Sequence, residues 1–154
     1  MLLESHPPYP PFTRATAMAK VKAAEDAWNT RDPHRVAMAY TVDTVWRTGD
    51  TFLMGRNNVI QFLSRTWSWQ RDYALRENLW GFDGNRIGVR FQYEWHDTSG
   101  QWWRSYGSEL WEYADNGLMA RRESSVNDVR IEEWARRIFG PRPAWQCSAE
   151  SPLR

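Results

Sequence analysis

Three short glycine-containing turns, "DGNR", "DTSG" and "DNGL", cut residues 73–128 into four runs rich in Val, Tyr, Phe and Trp. Connections this short join only antiparallel neighbours, so the second half of the chain must be a β-meander. The expected strands are Tyr73–Phe82, Arg86–His96, Gln101–Tyr113 and Leu118–Asp128. The first half carries a different period. From Thr13 to Asn29, residues Ala17, Val21, Ala24 and Trp28 recur at helical spacing. Asp32 followed by Pro33 is the order of N-cap and first helical residue, with Val36, Ala37 and Tyr40 facing inward. A third helix is expected over Arg56–Trp69, with Val59, Ile60, Leu63 and Trp67 on one side. "TVWRTGDTFLMG" between these helices reads as a hairpin turning at 48–50, and a last short helix is expected from Ile131 to include Trp134 and Ile138. The layout is α+β: three N-terminal helices covering one face of a curved, mostly antiparallel sheet. Residues 12–138 form the single domain. A Pro-rich extended arm (1–11) precedes it and a loosely ordered tail (139–154) follows.

Charge and composition narrow the function classes. Lys+Arg 20 against Asp+Glu 19 leaves a net charge of +1, without the basic excess that phosphate backbones require, so no nucleic-acid partner is expected. No run approaches the ~20 apolar residues of a membrane-spanning helix, and the N-terminus lacks a secretory signal pattern. Cys147 is the sole cysteine, which excludes an internal disulfide, and the expected location is cytoplasmic. Three scattered histidines, His6, His34 and His96, offer no metal-ligand spacing, and no phosphate loop or dinucleotide fingerprint is present. Neither metal nor cofactor is expected. The outstanding figure is 11 Trp, which suits a core, a subunit interface or an aromatic-walled cavity.

The segments "AEDAWNTRDPHRVAMAYTVDTVWR", "GRNNVIQFL", "YEWHDTSGQWWRSYG" and "SVNDV" resemble the SnoaL-like branch of the nuclear transport factor 2-like superfamily, within a bacterial and fungal subfamily. The resemblance implies a cone-shaped sheet (also termed cystatin-like) closed by helices around a cavity. It also implies homodimers formed through the outer face of the sheet. Its members include isomerases, dehydratases, cyclases and epoxide hydrolases as well as binders and scaffolds. Ser108 and Leu110 depart from the Asn that the resemblance leads one to expect there.

Turn chemistry assigns faces. A type I turn in "HDTSGQ", with Gly100 left-handed, sets Tyr93 opposite Ser105 and Trp95 opposite Trp103. Val89, Phe91, Tyr93, Trp95, Trp103, Glu109 and Trp111 then face the helices. Arg90, Gln92, Glu94, His96, Trp102, Arg104 and Tyr106 face outward, with Glu94 opposite Arg104. Reading "ADNGL" as pairing 114 with 118 sets Glu109 opposite Glu123, Trp111 opposite Arg121 and Ser105 opposite Asn127. A two-residue Asn116-Gly117 turn would instead bring Arg122 inside. Through "DGNR", Arg76, Asn78, Trp80 and Phe82 join the inner face, and Trp28, Tyr40, Trp46 and Trp67 complete the wall.

The candidate catalytic group is therefore Glu109, Glu123 and Arg121, an acid–Arg–acid cluster in which either one carboxyl keeps its proton or Arg121 lies between the two. Its candidate ligand-binding wall is Trp46, Trp67, Arg76, Trp80, Tyr93, Trp95, Trp111 and Asn127. The leading reading is cofactor-free acid–base chemistry on a hydrophobic or aromatic small molecule: isomerisation, dehydration or water addition. Glu109 or Glu123 is then the base, and Tyr93, Asn127 or Arg121 polarises an oxygen. The alternatives are a non-catalytic ligand binder and an interaction module. Homodimerisation is expected through Trp102, Arg104, Tyr106 and Leu110.

Overall fold

In the computed structural model, which describes residues 4–143, helices and strands follow the expected order. The helices are α1 (Arg14–Asn29), α2 (Pro33–Ala37) and α3 (Arg56–Trp69). The strands are β1 (Tyr40–Thr48), β2 (Thr51–Met54), β3 (Arg71–Asp83), β4 (Arg86–His96), β5 (Trp102–Tyr113) and β6 (Met119–Ile131). Thr13 and Thr16 form a reciprocal capping box at the start of α1, and the Asp32 carboxylate accepts from the His34 and Arg35 amides at the start of α2. The strands make one sheet in the order β2-β1-β6-β5-β4-β3, antiparallel except for the β1–β6 pair. The helices cover its concave face. Trp46, Val59, Leu63, Ile87, Val89 and Trp111 meet there in the main core.

Two register slips decide which side chains reach that face. The first lies in β3: Phe82 pairs with Ile87 and Gly81 with Gly88, but Leu79 pairs with Val89, leaving Trp80 as an extra residue. The second lies in β6. Ala114 and Leu118 close the turn as expected and Tyr113 pairs with Met119, yet Glu112 then pairs with Arg121. Ala120 is the extra residue. The Thr44 hydroxyl marks the spot, within 3.2 and 3.1 Å of the Met119 and Ala120 carbonyls. A bulge sets two residues against one, so every side chain beyond it changes face.

Several expectations are corrected as a result. Glu109 pairs with Ser124 rather than Glu123, Trp111 with Arg122, and Ser105 with Asp128. Arg121, Glu123 and Asn127 lie on the outer face; Asn127 pairs with Tyr106. Beyond the Trp80 bulge, Tyr73, Leu75, Glu77 and Leu79 take the inner positions, while Arg76 and Asn78 turn outward. The pairing of 114 with 118 was the right turn; the bulge beyond it produces the register expected from the shorter one.

The ends are packed further than their composition suggests. His6 donates its amide to the Asn116 carbonyl, and Lys20 Nζ bridges the His6 and Gly117 carbonyls at 2.7 and 2.8 Å. Gly117 sits at φ +83°, where a Cβ would lie 2.0 Å from the His6 oxygen, so the arm rests on a turn only glycine can make. The expected last helix is a single 3-10 turn, Glu133–Ala135. The chain then crosses the outer face. Ile138 and Arg137 donate their amides to Glu94, Arg104 bonds both Glu94 and the Ala135 carbonyl, and the Arg136 guanidinium stacks 3.8 Å over Trp102. Trp102 and Arg104, expected at a dimer face, are thus covered by their own chain. Arg142 is buried as well, in the segment read as loose tail. Cys147 lies outside the described residues.

Where β5 crosses Phe91, the sheet permits no side chain at all. A Cβ on Gly107 would stand 2.3 Å from Phe91 Cζ and 2.6 Å from the Ser125 carbonyl. Gly107→Ala should therefore cost about 1–3 kcal/mol of overpacking, seen as a lower urea midpoint at unchanged slope.

Candidate functional site

The concave face of the sheet and helix α3 enclose a cavity of about 440 Å³. Its walls are aromatic: Trp28 from α1, Phe62, Trp67 and Trp69 from α3, Tyr73 from β3, Phe91 and Tyr93 from β4. These rings lock one another in place. Trp67 meets Trp28 edge-on at 5.7 Å and Tyr73 at 5.6 Å, while Phe91 stacks on Tyr93 at 5.8 Å. Pockets that take small molecules combine such a wall with a few convergent polar groups.

The polar groups lie in two sets. In the first, Asp128 lines the cavity and accepts from Ser105 at 2.6 Å, while Ser105 Oγ, buried behind the lining, accepts from the Trp95 indole at 2.9 Å. Burial pushes the neighbouring Tyr93 phenol up to about 12, with the Asp128 charge adding to the effect and hydrogen bonds to Ser105 and Gln70 opposing it. At the inner end, Arg122 bonds Glu109, and the Trp111 indole holds the other Glu109 oxygen at 2.8 Å. The Arg122 guanidinium lies 4.3 Å over Trp46 and 4.8 Å over Trp28. Burial works against its charge, but the paired Glu109 carboxylate outweighs that penalty and keeps it cationic.

Glu77 completes the inner set. It is 4% exposed, lines the cavity, and its Oε2 is buried without a hydrogen-bond partner among the described residues. Burial drives its carboxyl well above the usual range, the Glu109 and Glu25 carboxylates push it further, and Arg122 and Arg142 only partly offset them. The cavity thus sets one ion pair beside one carboxyl whose ionisation is disfavoured. Arg122 Nε and Trp67 Nε1 are likewise buried without partners among the described residues. Both can only donate.

Of the residues selected from sequence, the structure brings Glu109, Trp67 and Tyr93 to the cavity. Trp46, Trp95 and Trp111 are buried behind its wall. Arg121, Glu123, Arg76, Trp80 and Asn127 lie on the other side of the sheet; Trp80 is 72% exposed with Arg90 stacked on it. An acid–Arg–acid cluster does form, but its members are Glu109, Arg122 and Glu77. Sequence reasoning missed Glu77, although a signal was present. From Tyr73 to Leu79 the odd positions of β3 are Tyr73, Leu75, Glu77 and Leu79, and Glu77 is the one charge among them. Among the described residues no three His, Cys, Asp or Glu side chains group as a metal site, and no helix is long and apolar enough to cross a membrane.

Comparison with solved structures places this architecture. A putative polyketide cyclase from Xanthomonas campestris pv. campestris superposes with a TM-score of 0.66 at 23% identity, over 74% of this chain and 92% of that one. An NTF2-like protein from Burkholderia pseudomallei gives 0.65 at 20%, over 72% and 90%. BvnE pinacolase from Penicillium brevicompactum gives 0.64 at 10%, over 74% and 87%. At these identities the likeness is one of fold. No curated protein matches the chain. A family match covers residues 10–139, the whole of the cone and its helices. The chain belongs to the family described as "Protein of unknown function (DUF1348)", with a nuclear transport factor 2-like, SnoaL-like fold.

Proposed function

We propose that the cone binds a neutral, flat small molecule bearing an acceptor oxygen, and that Glu77 and Glu109 perform cofactor-free acid–base chemistry on it. The observation that carries this reading is the Glu77 carboxyl, buried against an aromatic cavity beside the Glu109–Arg122 pair with its Oε2 unpartnered among the described residues. Glu77 donates its proton to the ligand oxygen while Glu109 accepts one from carbon or from water. Negative charge then passes from Glu109 to Glu77, both within the field of Arg122, so the cavity gains no net charge during the step. Isomerisation next to a carbonyl, dehydration and water addition all fit this exchange. Two superposing proteins are named as a putative polyketide cyclase and a pinacolase, which agrees with small-molecule chemistry in a cone of this shape. The second reading, a binder without turnover, draws on the Trp-lined wall alone.

The outer face suits a second copy of the chain. Trp80 and Leu110, 72% and 63% exposed, border a shallow groove rimmed by Arg86, Glu112, Arg121 and Glu123. Alternating charges on that rim can pair across a two-fold axis. Of the dimer face expected from sequence, Tyr106 and Leu110 remain available to it.

Three outcomes are expected. First, the unfolded chain releases the Glu77 proton near pH 4.3, the native protein at a higher pH. The stability this supplies is whole below the unfolded value and is lost as pH rises through the native one. Glu77→Gln lacks that loss, so by urea denaturation it should gain on the parent protein by up to about 1.4 kcal/mol per pH unit across that window. A constant difference at every pH would count against a retained proton. Second, 2-tetralone in D2O should exchange its C1 hydrogens faster with protein than in buffer, with Glu77→Gln slower by roughly 10²–10⁴-fold. Binding by saturation-transfer NMR with exchange at the buffer rate would favour the binder. Third, sedimentation velocity should give a dimer that Leu110→Glu converts to a folded monomer; a monomeric parent protein would rule that surface out.

A further inference from the structure

Strand β3 ends the sheet, yet the middle of its free edge is not open. Leu75 and Glu77 both point their backbone N–H and C=O groups away from β4. Helix α1 answers them with two side chains one turn apart. Asn29 accepts from the Leu75 amide at 2.8 Å and donates to the Leu75 carbonyl at 3.2 Å. Glu25 accepts from the Glu77 amide at 2.8 Å. Four helical residues rise about 6 Å and two strand residues about 6.8 Å, so the two repeats nearly coincide.

Arg142 closes the arrangement from the far end of the chain. Its Nε and Nη2 meet the two Glu25 oxygens at 2.9 and 2.6 Å, and Nη2 also reaches the Glu77 carbonyl at 3.2 Å. Both backbone groups of Glu77 are therefore held by one buried ion pair whose acid is fully enclosed. The pair sits behind β3, outside the cavity, while the Glu77 side chain lies inside it. Arg142 also falls beyond residues 10–139, the part of the chain that the family match covers.

We propose that Glu25 and Arg142 are positioning residues for Glu77: from behind the strand they fix its backbone and govern its state of protonation. The proposal takes its functional meaning from the acid–base reading above. The groups facing Glu77 are Glu109 of β5, Arg122 of β6, Tyr40 of β1, Tyr73 of β3, Tyr113 of β5, Glu25 of α1 and Arg142 of the C-terminal segment. Glu25 and Arg142 are the members of this set that lie outside the cavity and bond the Glu77 backbone. Their charges act on Glu77 with opposite signs, Glu25 the stronger. A purely structural tie would behave differently. Breaking it from either side would let water reach Glu77 and move its titration the same way.

The test is a carboxyl-carbon NMR titration of protein made with ¹³C-labelled glutamate, the Glu77 signal being the one lost in Glu77→Gln. Glu25→Gln should lower the Glu77 midpoint and Arg142→Met should raise it, each by roughly one pH unit. Arg142→Lys, which keeps the charge, should return it close to that of the parent protein. Shifts in the same direction for Glu25→Gln and Arg142→Met, or no shift in either, would overturn the proposal. If a single substitution prevents folding, the double variant leaves no isolated charge behind β3 and should lower the midpoint; an unchanged value overturns the proposal equally. A parent Glu77 midpoint near 4.3 would instead undo the acid–base reading, and opposite shifts around that midpoint would still uphold the positioning role.

Discussion

One inserted residue, Ala120, determines what the interior of this protein can be. Arg121 and Arg122 are adjacent in sequence and have equal charge, and a strand must send one inward and the other out. The bulge sends Arg122 inward, where two Trp rings and Glu109 receive it, and leaves Arg121 against Glu123 on the open face. Without the extra residue, Glu123 would face Glu109 inside the cone and Arg121 would take the place opposite Trp111 that Arg122 holds. Thr44 hydroxyl bonds to both carbonyls of the bulge give it a fixed address in the fold.

The charge balance inside follows from that placement. A guanidinium removed from water needs a close anion, and Glu109 supplies it. A second carboxyl in the same space cannot ionise at ordinary cost, which raises Glu77 well above the usual carboxyl range. The lining is uneven: two donors without partners among the described residues, Arg122 Nε and Trp67 Nε1, lie in a space otherwise walled by rings. Such an interior favours uncharged ligands with acceptor oxygens, because the buried Arg122 charge is already taken by Glu109.

The fold was legible because its signals are local. Gly100, at φ +89°, marks the β4–β5 turn so clearly that every face on those two strands follows from it. The N-caps and the helical stripes are equally local. The site was less legible because bulges have no obligatory residue, and each displaces a whole strand's worth of side chains. Their trace is a change of apolar phase: Tyr73, Leu75 and Leu79 against Trp80 and Phe82 in β3, and Met119 against Val126 in β6. Reading those switches would have exchanged Arg76 for Glu77 and Arg121 for Arg122. Arg142 left no such trace, since a single buried ion pair draws an otherwise aperiodic segment onto the body of the protein.

The ladder of side chains along β3 also bears on how the protein behaves in a crowded solution. A 13-residue border strand is long enough to template the addition of a foreign chain. Asn29, Glu25 and Arg142 occupy the bonding positions at its centre, so an incoming segment would find the docking groups already taken. The opposite border, β2, is only 4 residues long and offers little to grip. Lateral growth into fibrils is thereby discouraged at both rims.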